Sequence, residues 1–202
     1  MKIICIGRNY ADHIKELSNS FQKEIIFFLK PETAISIKGQ PFFIPDFSNN
    51  IEHEIEIILK INKVGKFIQE KYAHKYFEEI SVGIDFTARD LQNNLKKKGL
   101  PWEAAKSFDG SATIGTFIKK DKFDINNLNF SLKKNGIIVQ NGNSKSMINN
   151  FNKVISYVSN FITLKKGDII FTGTPSGVST VKENDVLEGF LENIKLFETK
   201  VI

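Results

Sequence analysis

The stretch that decides the fold reads Ile51-Glu52-His53-Glu54-Ile55-Glu56-Ile57-Ile58-Leu59-Lys60-Ile61. Acidic and apolar residues alternate in its first half, and this period of two predicts a β-strand with two unlike faces. Residues two apart in a strand point to the same side, so Glu54 and Glu56 project together while Ile55 and Ile57 point into the core. Two adjacent carboxylates repel each other unless a cation lies between them. The stretch therefore predicts a strand that carries a candidate metal site.

A third carboxylate, Asp85, strengthens the metal interpretation. It follows the apolar segment 81–84 and precedes a predicted helix, and residues in such connections often line functional sites. The alternatives are that the glutamates face solvent and that Asp85 caps the helix, although Thr87 is also a possible cap. Three carboxylates form an all-oxygen shell, which suits Mg²⁺ or Mn²⁺ better than Zn²⁺, since Zn²⁺ favours His and Cys.

The rest of the chain is rich in predicted strands and poor in predicted helices. Strands are expected at 3–6, 25–29 and 81–86, on both sides of Asn135-Gly136, and at 168–172, 186–191 and 193–201. Helices are expected at 10–17, 67–80, 87–98 and 147–162, with Asn9 and Thr87 as possible N-caps. The order lacks a regular βαβ alternation, and glycine-rich nucleotide-binding patterns are absent. We therefore expect one α+β domain that is dominated by strands.

Composition points to a globular domain with a basic surface. The 202 residues are enough to bury a core, and no apolar run is long enough to span a bilayer. The N-terminus lacks signal-peptide features, so we expect a cytoplasmic protein without a membrane partner. The net charge of +5 comes from scattered lysines without an aromatic-basic recognition motif, which favours a solvated surface over nucleic-acid binding. A non-catalytic basic binding module is the alternative from another functional class.

Arginine is scarce in this chain, and Arg8 and Arg89 are its two instances. A planar guanidinium can bind a carboxylate through two parallel hydrogen bonds, which an ammonium cannot copy. The retention of arginine at these two positions indicates either carboxylate-binding sites or structural ion pairs, and the sequence does not separate the two.

Three further features carry candidate chemistry of lower specificity. His13 and Glu16 are three residues apart on a predicted helix, so the carboxylate could orient the imidazole as a general base, although a surface pair is the alternative. Lys106 is one lysine among many, and its position alone assigns it no role. Residues 173–177 form a glycine-bracketed loop after a strand, which either exposes N–H groups to an anion or simply makes a turn.

Seven short motifs occur in order along the chain. They are Gly7-Arg8-Asn9-Tyr10-Ala11-Asp12-His13, Phe28-Leu29-Lys30-Pro31, His53-Glu54-Ile55-Glu56, Asp85-Phe86-Thr87-Ala88-Arg89-Asp90-Leu91-Gln92, Lys98-Gly99-Leu100-Pro101-Trp102, Ala105-Lys106-Ser107-Phe108 and Gly167-Asp168-Ile169-Ile170-Phe171-Thr172-Gly173-Thr174-Pro175. Their order and spacing make essentially the whole chain resemble the fumarylacetoacetate hydrolase superfamily, and in particular its short single-domain acylpyruvase and oxaloacetate-decarboxylase-like members.

The resemblance implies a single catalytic domain over residues 1–202, with mixed sheets rolled around the active site and a few flanking helices. It also implies a homodimer and a bound Mg²⁺ or Mn²⁺, with a lid segment at about residues 8–22. The implied metal ligands are Glu54, Glu56 and Asp85, and the implied catalytic residues are the dyad His13 and Glu16 and the cation Lys106. The implied substrate-binding residues are Arg8, Tyr10, Lys30, Arg89, Gln92, Gly173 and Thr174.

The activity that the resemblance implies is metal-dependent hydrolysis of the C–C bond of a 2,4-dioxo acid, of the acylpyruvate or fumarylpyruvate type. The dyad would activate water, while the metal and Lys106 would stabilise the enolate of pyruvate. The alternatives are oxaloacetate decarboxylation, keto–enol tautomerisation or isomerisation on the same scaffold, and a family member without turnover. Thr113 and Gly115-Thr116-Phe117 depart from the family pattern, which leaves the substrate preference open.

Overall fold

Strands dominate the computed structural model, which describes residues 1–17 and 24–202. The strands in these residues are β1 Ile3–Gly7, β2 Ile26–Lys30, β3 Ile51–His53, β4 Ile55–Ile61, β5 Phe77–Asp85, β6 Thr87–Ala88, β7 Ala112–Ile114, β8 Ile118–Lys119, β9 Asn129–Lys134, β10 Ile137–Asn143, β11 Ile169–Phe171, β12 Ser179–Thr180, β13 Val186–Leu191 and β14 Ile194–Lys200. The helices are α1 Ala11–Glu16, α2 Glu70–Ala73, α3 Arg89–Lys97, α4 Glu103–Lys106 and α5 Phe151–Phe161.

Within the described residues, the strands form three sheets. The central sheet has the order β2-β1-β11-β4-β5-β7, with β8 also paired to β5. Strands β1 and β11 run parallel, whereas the other neighbours in this sheet are antiparallel, so the sheet is mixed. A second sheet has the order β10-β9-β13-β14, and a small third sheet has the order β12-β3-β6. The predicted α+β, strand-dominated class with mixed sheets is confirmed.

The central sheet is buried on both faces. Ile4 of β1 and Ile57 of β4 point into the main core, where α5 also packs. Their neighbours Cys5 and Ile58 point to the opposite face and pack with Phe171 in a smaller apolar cluster. Burial, the largest effect, raises the pKa of the Cys5 thiol. Glu56 lies two residues before Ile58 on β4, so this apolar cluster adjoins the acidic residues.

The predicted continuous strand over 51–61 is wrong, because the chain changes sheets at Glu54. Strand β3 before it belongs to the small sheet, and β4 after it belongs to the central sheet. The neighbouring chain does the same, since β5 ends at Asp85 and β6 of the small sheet follows. The Asp85 N–H donates to the Glu54 carbonyl at 2.9 Å. Two chains therefore leave the central sheet together, and each carries a carboxylate at that point.

The helix predicted for 67–80 is wrong over most of its length. Helix α2 covers Glu70–Ala73, a short 3₁₀ turn follows, and β5 begins at Phe77. Tyr72 is exposed, whereas Ile80 is fully buried beside β4. The pairing of β5 with β4 outweighs the local helical spacing, as tertiary contacts often do.

The two predicted N-caps, Asn9 and Thr87, have other partners. The Asn9 side chain donates to the carbonyls of Asn149 and Thr172 at 2.9 and 2.8 Å, which ties the start of α1 to the end of β11. Thr87 lies in β6, and its hydroxyl accepts a hydrogen bond from Lys106 at 2.6 Å. Both side chains hold distant segments together, and this outweighs the local capping pattern.

Other predicted elements are confirmed. The strands predicted at 3–6 and 25–29 and in the last forty residues are present with ends shifted by at most one residue. The amphipathic helix is present as α5, but it begins only after Asn150, whose side chain accepts a hydrogen bond from the Lys153 N–H. The turn at Asn135-Gly136 joins β9 to β10 with positive φ at both residues, as a two-residue hairpin requires. None of the helices in the described residues is long and apolar enough to cross a membrane.

Asp168 joins β1 to the turn that precedes β11. Its carboxylate accepts hydrogen bonds from the backbone N–H groups of Lys2 and Lys165 at 2.9 and 2.7 Å, and from the Lys2 ammonium at 2.5 Å. Burial alone would raise the pKa of Asp168, but these hydrogen bonds outweigh it and hold the pKa below its ordinary value. The ionised form is therefore the one that stabilises the fold.

We expect Asp168→Ala to lower the free energy of unfolding at pH 7 by roughly 2–3 kcal/mol, because two backbone N–H groups lose a charged acceptor. The stability that the ionised Asp168 carboxylate contributes is fully present above a pH of about 4, the pKa of aspartate in the unfolded chain. It is lost as the pH falls through the lower pKa of Asp168 in the folded protein. Urea unfolding of both proteins at pH 7 and pH 3 measures the effect, and the difference between them should shrink at pH 3. An equal difference at both pH values would exclude the carboxylate charge as its cause.

Candidate metal and substrate site

Glu54, Glu56 and Asp85 meet where β4 and β5 leave the central sheet. All three side chains are buried, and one oxygen from each lies within 4.8 Å of the others. Lys30 Nζ lies 2.8 Å from Asp85 Oδ1 but not in hydrogen-bond geometry, so this buried oxygen keeps a lone pair for a cation. Three converging carboxylates fit Mg²⁺ or Mn²⁺, which prefer oxygen ligands.

Lys106 balances the charge of these carboxylates. Its ammonium donates to Glu54 Oε2 at 2.6 Å and to Asp85 Oδ2 at 2.9 Å, and Thr87 Oγ1 accepts a third hydrogen bond. Burial alone would lower the pKa of Lys106, but the charges of Asp85 and Glu54 outweigh it and raise the pKa above its ordinary value. The side chain is therefore a fixed positive charge beside the acidic residues.

Arg89 is the second cation in contact with the acidic residues. Its guanidinium donates to Glu52 Oε2 at 2.7 Å, to Gln92 Oε1 at 2.6 Å and also to Glu54. Burial alone would raise the pKa of Glu54, but Lys106 and Arg89 hold that pKa well below its ordinary value. One of the two scarce arginines thus forms a structural ion pair at the edge of the site.

Glu56 depends on the glycine-bracketed loop at residues 173–177. The Gly173 N–H donates to Glu56 Oε2 at 2.6 Å. Gly173 has a φ of 105°, and a Cβ added there would lie 2.6 Å from the Asn9 Cβ, so glycine is required. Burial, followed by the charges of Asp85 and Glu54, raises the pKa of Glu56 well above its ordinary value. A divalent cation would offset this repulsion.

His13 and Glu16 form the predicted pair on α1. His13 Nδ1 lies 3.0 Å from Glu16 Oε2, and Glu16 Oε1 accepts a hydrogen bond from the Gly177 N–H at 2.8 Å. His13 is buried, and its imidazole lines the same cleft as the three carboxylates. Because Nδ1 contacts Glu16, Nε2 is the ring nitrogen that can meet a substrate or a water molecule.

A narrow cleft, partly open to solvent, joins these groups and leaves about 40 Å³ of space for water-sized groups. Besides the three carboxylates, its polar lining residues are Arg8, His13, Arg89, Gln92, Lys96, Lys106 and Thr174. One wall is apolar and includes Phe28 and Trp102, whose rings meet edge to face at 6.1 Å. Four of the predicted substrate-binding residues, Arg8, Arg89, Gln92 and Thr174, therefore line the cleft. Gly173 meets the site through its backbone.

Two predicted substrate-binding residues, Tyr10 and Lys30, do not line this cleft. Lys30 is fully buried, and its ammonium contacts Asp85 and donates to the Lys106 carbonyl. Tyr10 packs in the core with its ring centroid 6.1 Å from that of Phe130. Lys30 contacts the carboxylate of Asp85 and Tyr10 packs at the start of α1, so their assignment to substrate binding stays a prediction.

Lys96 was missed by the sequence analysis. It lines the cleft from α3, where Arg89, Gln92 and Lys96 are spaced by three and four residues and share one helix face. Burial, followed by the charge of Arg8, lowers the pKa of Lys96. The helical spacing was a readable signal, but the lysine run 96–98 was interpreted as solvated surface.

The predicted lid at residues 8–22 lies partly outside the described residues. Its described part, residues 8–17, contains α1 and is attached to the 173–177 loop through Glu16 and Gly177. Residues 18–22 are not described, and the mobility of the segment stays a prediction.

Comparisons with known proteins show which family the chain resembles. The model of the family described as fumarylacetoacetate (FAA) hydrolase C-terminal matches residues 2–202. Oxaloacetate tautomerase FAHD1, mitochondrial, from Mus musculus is 44% identical over 200 residues, which cover 98% of this chain and 90% of that protein. Oxaloacetate decarboxylase, mitochondrial, from Dictyostelium discoideum is 42% identical over 189 residues, which cover 93% of this chain and 87% of that protein.

A solved structure has the same fold. Fumarylpyruvate hydrolase from Pseudomonas aeruginosa, in complex with Mn²⁺ and pyruvate, is 32% identical with a TM-score of 0.93, and the match covers 100% of this chain and 89% of that one. With a family model that spans nearly every residue, the chain belongs to the fumarylacetoacetate hydrolase family.

Proposed function

We propose that this protein is a Mg²⁺- or Mn²⁺-dependent enzyme that interconverts the keto and enol forms of oxaloacetate. The observation that carries the proposal is the meeting of three buried carboxylates, a histidine base and several cations in one cleft. The mouse and Dictyostelium relatives, named for oxaloacetate tautomerisation and decarboxylation, are more similar in sequence than the fumarylpyruvate hydrolase. This similarity favours tautomerisation over the C–C hydrolysis that the sequence motifs alone placed first.

The cleft offers charges that match a dicarboxylic oxo acid. Arg8 and Lys96 line it and are positively charged, so they are suitable partners for the carboxylates of oxaloacetate. Glu54, Glu56 and Asp85 would hold the cation. When bound, Mg²⁺ or Mn²⁺ supplies a Lewis acid that polarises the 2-oxo group.

The proton transfer is assigned to His13. The imidazole takes a proton from C3 of oxaloacetate and returns it to the 2-oxo oxygen, which converts the keto form to the enol form without loss of atoms. Glu16 holds the ring through Nδ1, and Gly177 holds Glu16 in turn. Lys106 adds a positive charge near the carboxylates, which lowers the cost of negative charge that develops on the substrate.

Hydrolysis of an acylpyruvate or a fumarylpyruvate is the second candidate. Two observations favour it: a paired histidine and glutamate can activate water, and the Phe28–Trp102 wall can hold the uncharged acyl group of an acylpyruvate. Both reactions use the same base, so the substrate distinguishes them.

The test is to mix the purified protein with Mg²⁺ and oxaloacetate and to follow the enol absorbance, pyruvate and CO₂. We expect enol decay faster than in buffer, dependent on the cation and stopped by a chelator. Pyruvate with CO₂ would identify decarboxylation, and parallel reactions with acetylpyruvate and fumarylpyruvate would identify hydrolysis. Turnover of none of these acids would contradict the proposal.

The homodimer and the cytoplasmic location stay predictions. The mouse relative is named as mitochondrial, so the compartment does not follow from family membership. Sedimentation equilibrium of the purified chain measures its oligomeric state, and a monomer at micromolar concentration would contradict the homodimer.

A further inference from the structure

Gln140 lies on β10, between the start of β4 at Ile55 and the 173–177 loop. It is buried, and both ends of its carboxamide are used. Its Oε1 accepts from the Ile55 N–H at 3.0 Å, and its Nε2 donates to the Pro175 carbonyl at 3.0 Å. A backbone N–H can only donate and a carbonyl can only accept, so these two contacts fix which end of the amide is which.

The same orientation assigns the protons of a buried histidine. Gln140 Oε1 lies 2.9 Å from His53 Nδ1, so this nitrogen must carry a hydrogen and donate it. His53 Nε2 then accepts from the Ser179 hydroxyl at 2.8 Å, and Ser179 Oγ accepts from the Lys134 ammonium at 3.1 Å. Each group in this series of hydrogen bonds has a defined partner, and the series therefore holds the Gln140 carboxamide in one orientation.

The other end of the amide determines what the Thr174 hydroxyl can do. Gln140 Nε2 donates to Thr174 Oγ1 at 2.9 Å, and Thr174 lines the cleft. Because this oxygen accepts from Gln140, its own hydrogen must point elsewhere. The Pro175 carbonyl lies 3.4 Å from Thr174 Oγ1, which is long for a hydrogen bond, and it already accepts a hydrogen bond from Gln140 Nε2. An acceptor in the cleft is therefore the better partner for the Thr174 hydroxyl.

We propose that Gln140 is a positioning residue, which turns the Thr174 hydroxyl into a hydrogen-bond donor for the oxo acid in the cleft. The inference rests on the proposed function for the identity of that acid. Gln140 acts by contacts to Thr174 and Pro175, and the neighbouring N–H groups of Gly173 and Gly177 hold the metal-site carboxylate and the dyad glutamate. The 173–177 loop, which Gln140 holds in place, thus contacts the oxo acid through Thr174, a metal-site carboxylate through Gly173 and the dyad glutamate through Gly177.

The test is a double-mutant cycle on Gln140 and Thr174. Gln140→Glu keeps an oxygen towards the Ile55 N–H but loses the donor to Thr174, and Thr174→Val loses the hydroxyl. We expect each single variant to weaken pyruvate binding to the Mn²⁺-loaded protein by roughly tenfold, the loss of one hydrogen bond. The double variant should also lose roughly tenfold, because the two changes remove the same bond.

A positioning role that acts through the Thr174 hydroxyl predicts three further results, which a purely structural role of Gln140 does not. Calorimetry with Mn²⁺ alone should give wild-type affinity for all variants, and Thr174→Ser, which keeps the hydroxyl, should restore pyruvate binding. Gln69→Glu changes an exposed glutamine in the same way and should have no effect. Losses that multiply in the double variant, an equal loss of Mn²⁺ affinity, or failure of Thr174→Ser to restore binding would each overturn the proposal.

The readouts separate this inference from the proposed function. If the wild type binds pyruvate with Mn²⁺ but leaves oxaloacetate unchanged, the proposed reaction fails while the cycle still measures the role of Gln140. If the wild type binds no oxo acid at all, the inference about Gln140 is overturned as well.

Discussion

Glu56→Gln is expected to weaken Mn²⁺ binding at pH 7 by roughly 100-fold or more, because even groups behind a metal ligand cost 10–100-fold when mutated. The substitution keeps the size of the side chain and an oxygen for the Gly173 N–H, and it removes one of three negative charges. Turnover of oxaloacetate should fall with the bound metal. Isothermal titration calorimetry and enol absorbance measure the two losses.

The same substitution should have the opposite effect on the stability of the metal-free protein. Burial and the charges of Asp85 and Glu54 make an ionised Glu56 costly, and a neutral glutamine removes that cost. We therefore expect the metal-free variant to melt at a higher temperature than the metal-free wild type. Added Mn²⁺ should raise the melting temperature of the wild type only, since only the protein that binds the ion is stabilised by it.

Glu79→Gln is the matched control for this experiment. Glu79 lies on β5, next to β4, and pairs with Lys60 at the surface at 3.0 Å. Glu79→Gln should keep wild-type metal affinity. Without metal, its melting temperature should be nearly that of the wild type. If Glu56→Gln kept wild-type Mn²⁺ affinity, Glu56 would not be a metal ligand, and the proposed metal site would be contradicted.

The positions of the carboxylates were predictable because strand periodicity is a local signal. The contacts that hold their backbone in place were not predictable, because they come from distant parts of the chain. The alternation at 51–61 places Glu54 and Glu56 together, and the structure agrees. The break at Glu54 depends on Gln140, 85 residues from Ile55, and on the Asp85 N–H of the next strand. Neither contact leaves a signal in the stretch itself, so the periodicity predicted one strand where two sheets meet.

The other site residues were also predictable only where their arrangement follows from local spacing. Lys96 shares a helix face with Arg89 and Gln92, so spacing on α3 could have identified it. Lys30 and Gln140 had no such signal, since a lysine after a strand and a glutamine within one are common. Their roles come from partners that are distant in the chain, such as the Ser111 carbonyl for Lys30.

His13→Ala is expected to lower kcat for oxaloacetate tautomerisation by roughly 10²–10⁴-fold, the usual contribution of a positioned general base. Mn²⁺ affinity should stay near the wild-type value, because the hydrogen-bond partner of the imidazole is Glu16 and not a metal-site carboxylate. Glu16→Gln should cause a smaller loss, since the amide can still contact His13 and Gly177 but carries no charge to stabilise the imidazolium that forms when the ring takes the proton.

The pattern across substrates shows whether the two candidate reactions share His13 as their base. His74→Ala, which changes an exposed histidine, is the control and should keep full activity and metal affinity. If His13 is the shared base, its loss slows tautomerisation of oxaloacetate and hydrolysis of fumarylpyruvate in parallel. If only hydrolysis falls, His13 activates water and another group moves the C3 proton. A parallel loss of Mn²⁺ affinity would contradict the dyad, since it would place His13 in the structure of the metal site.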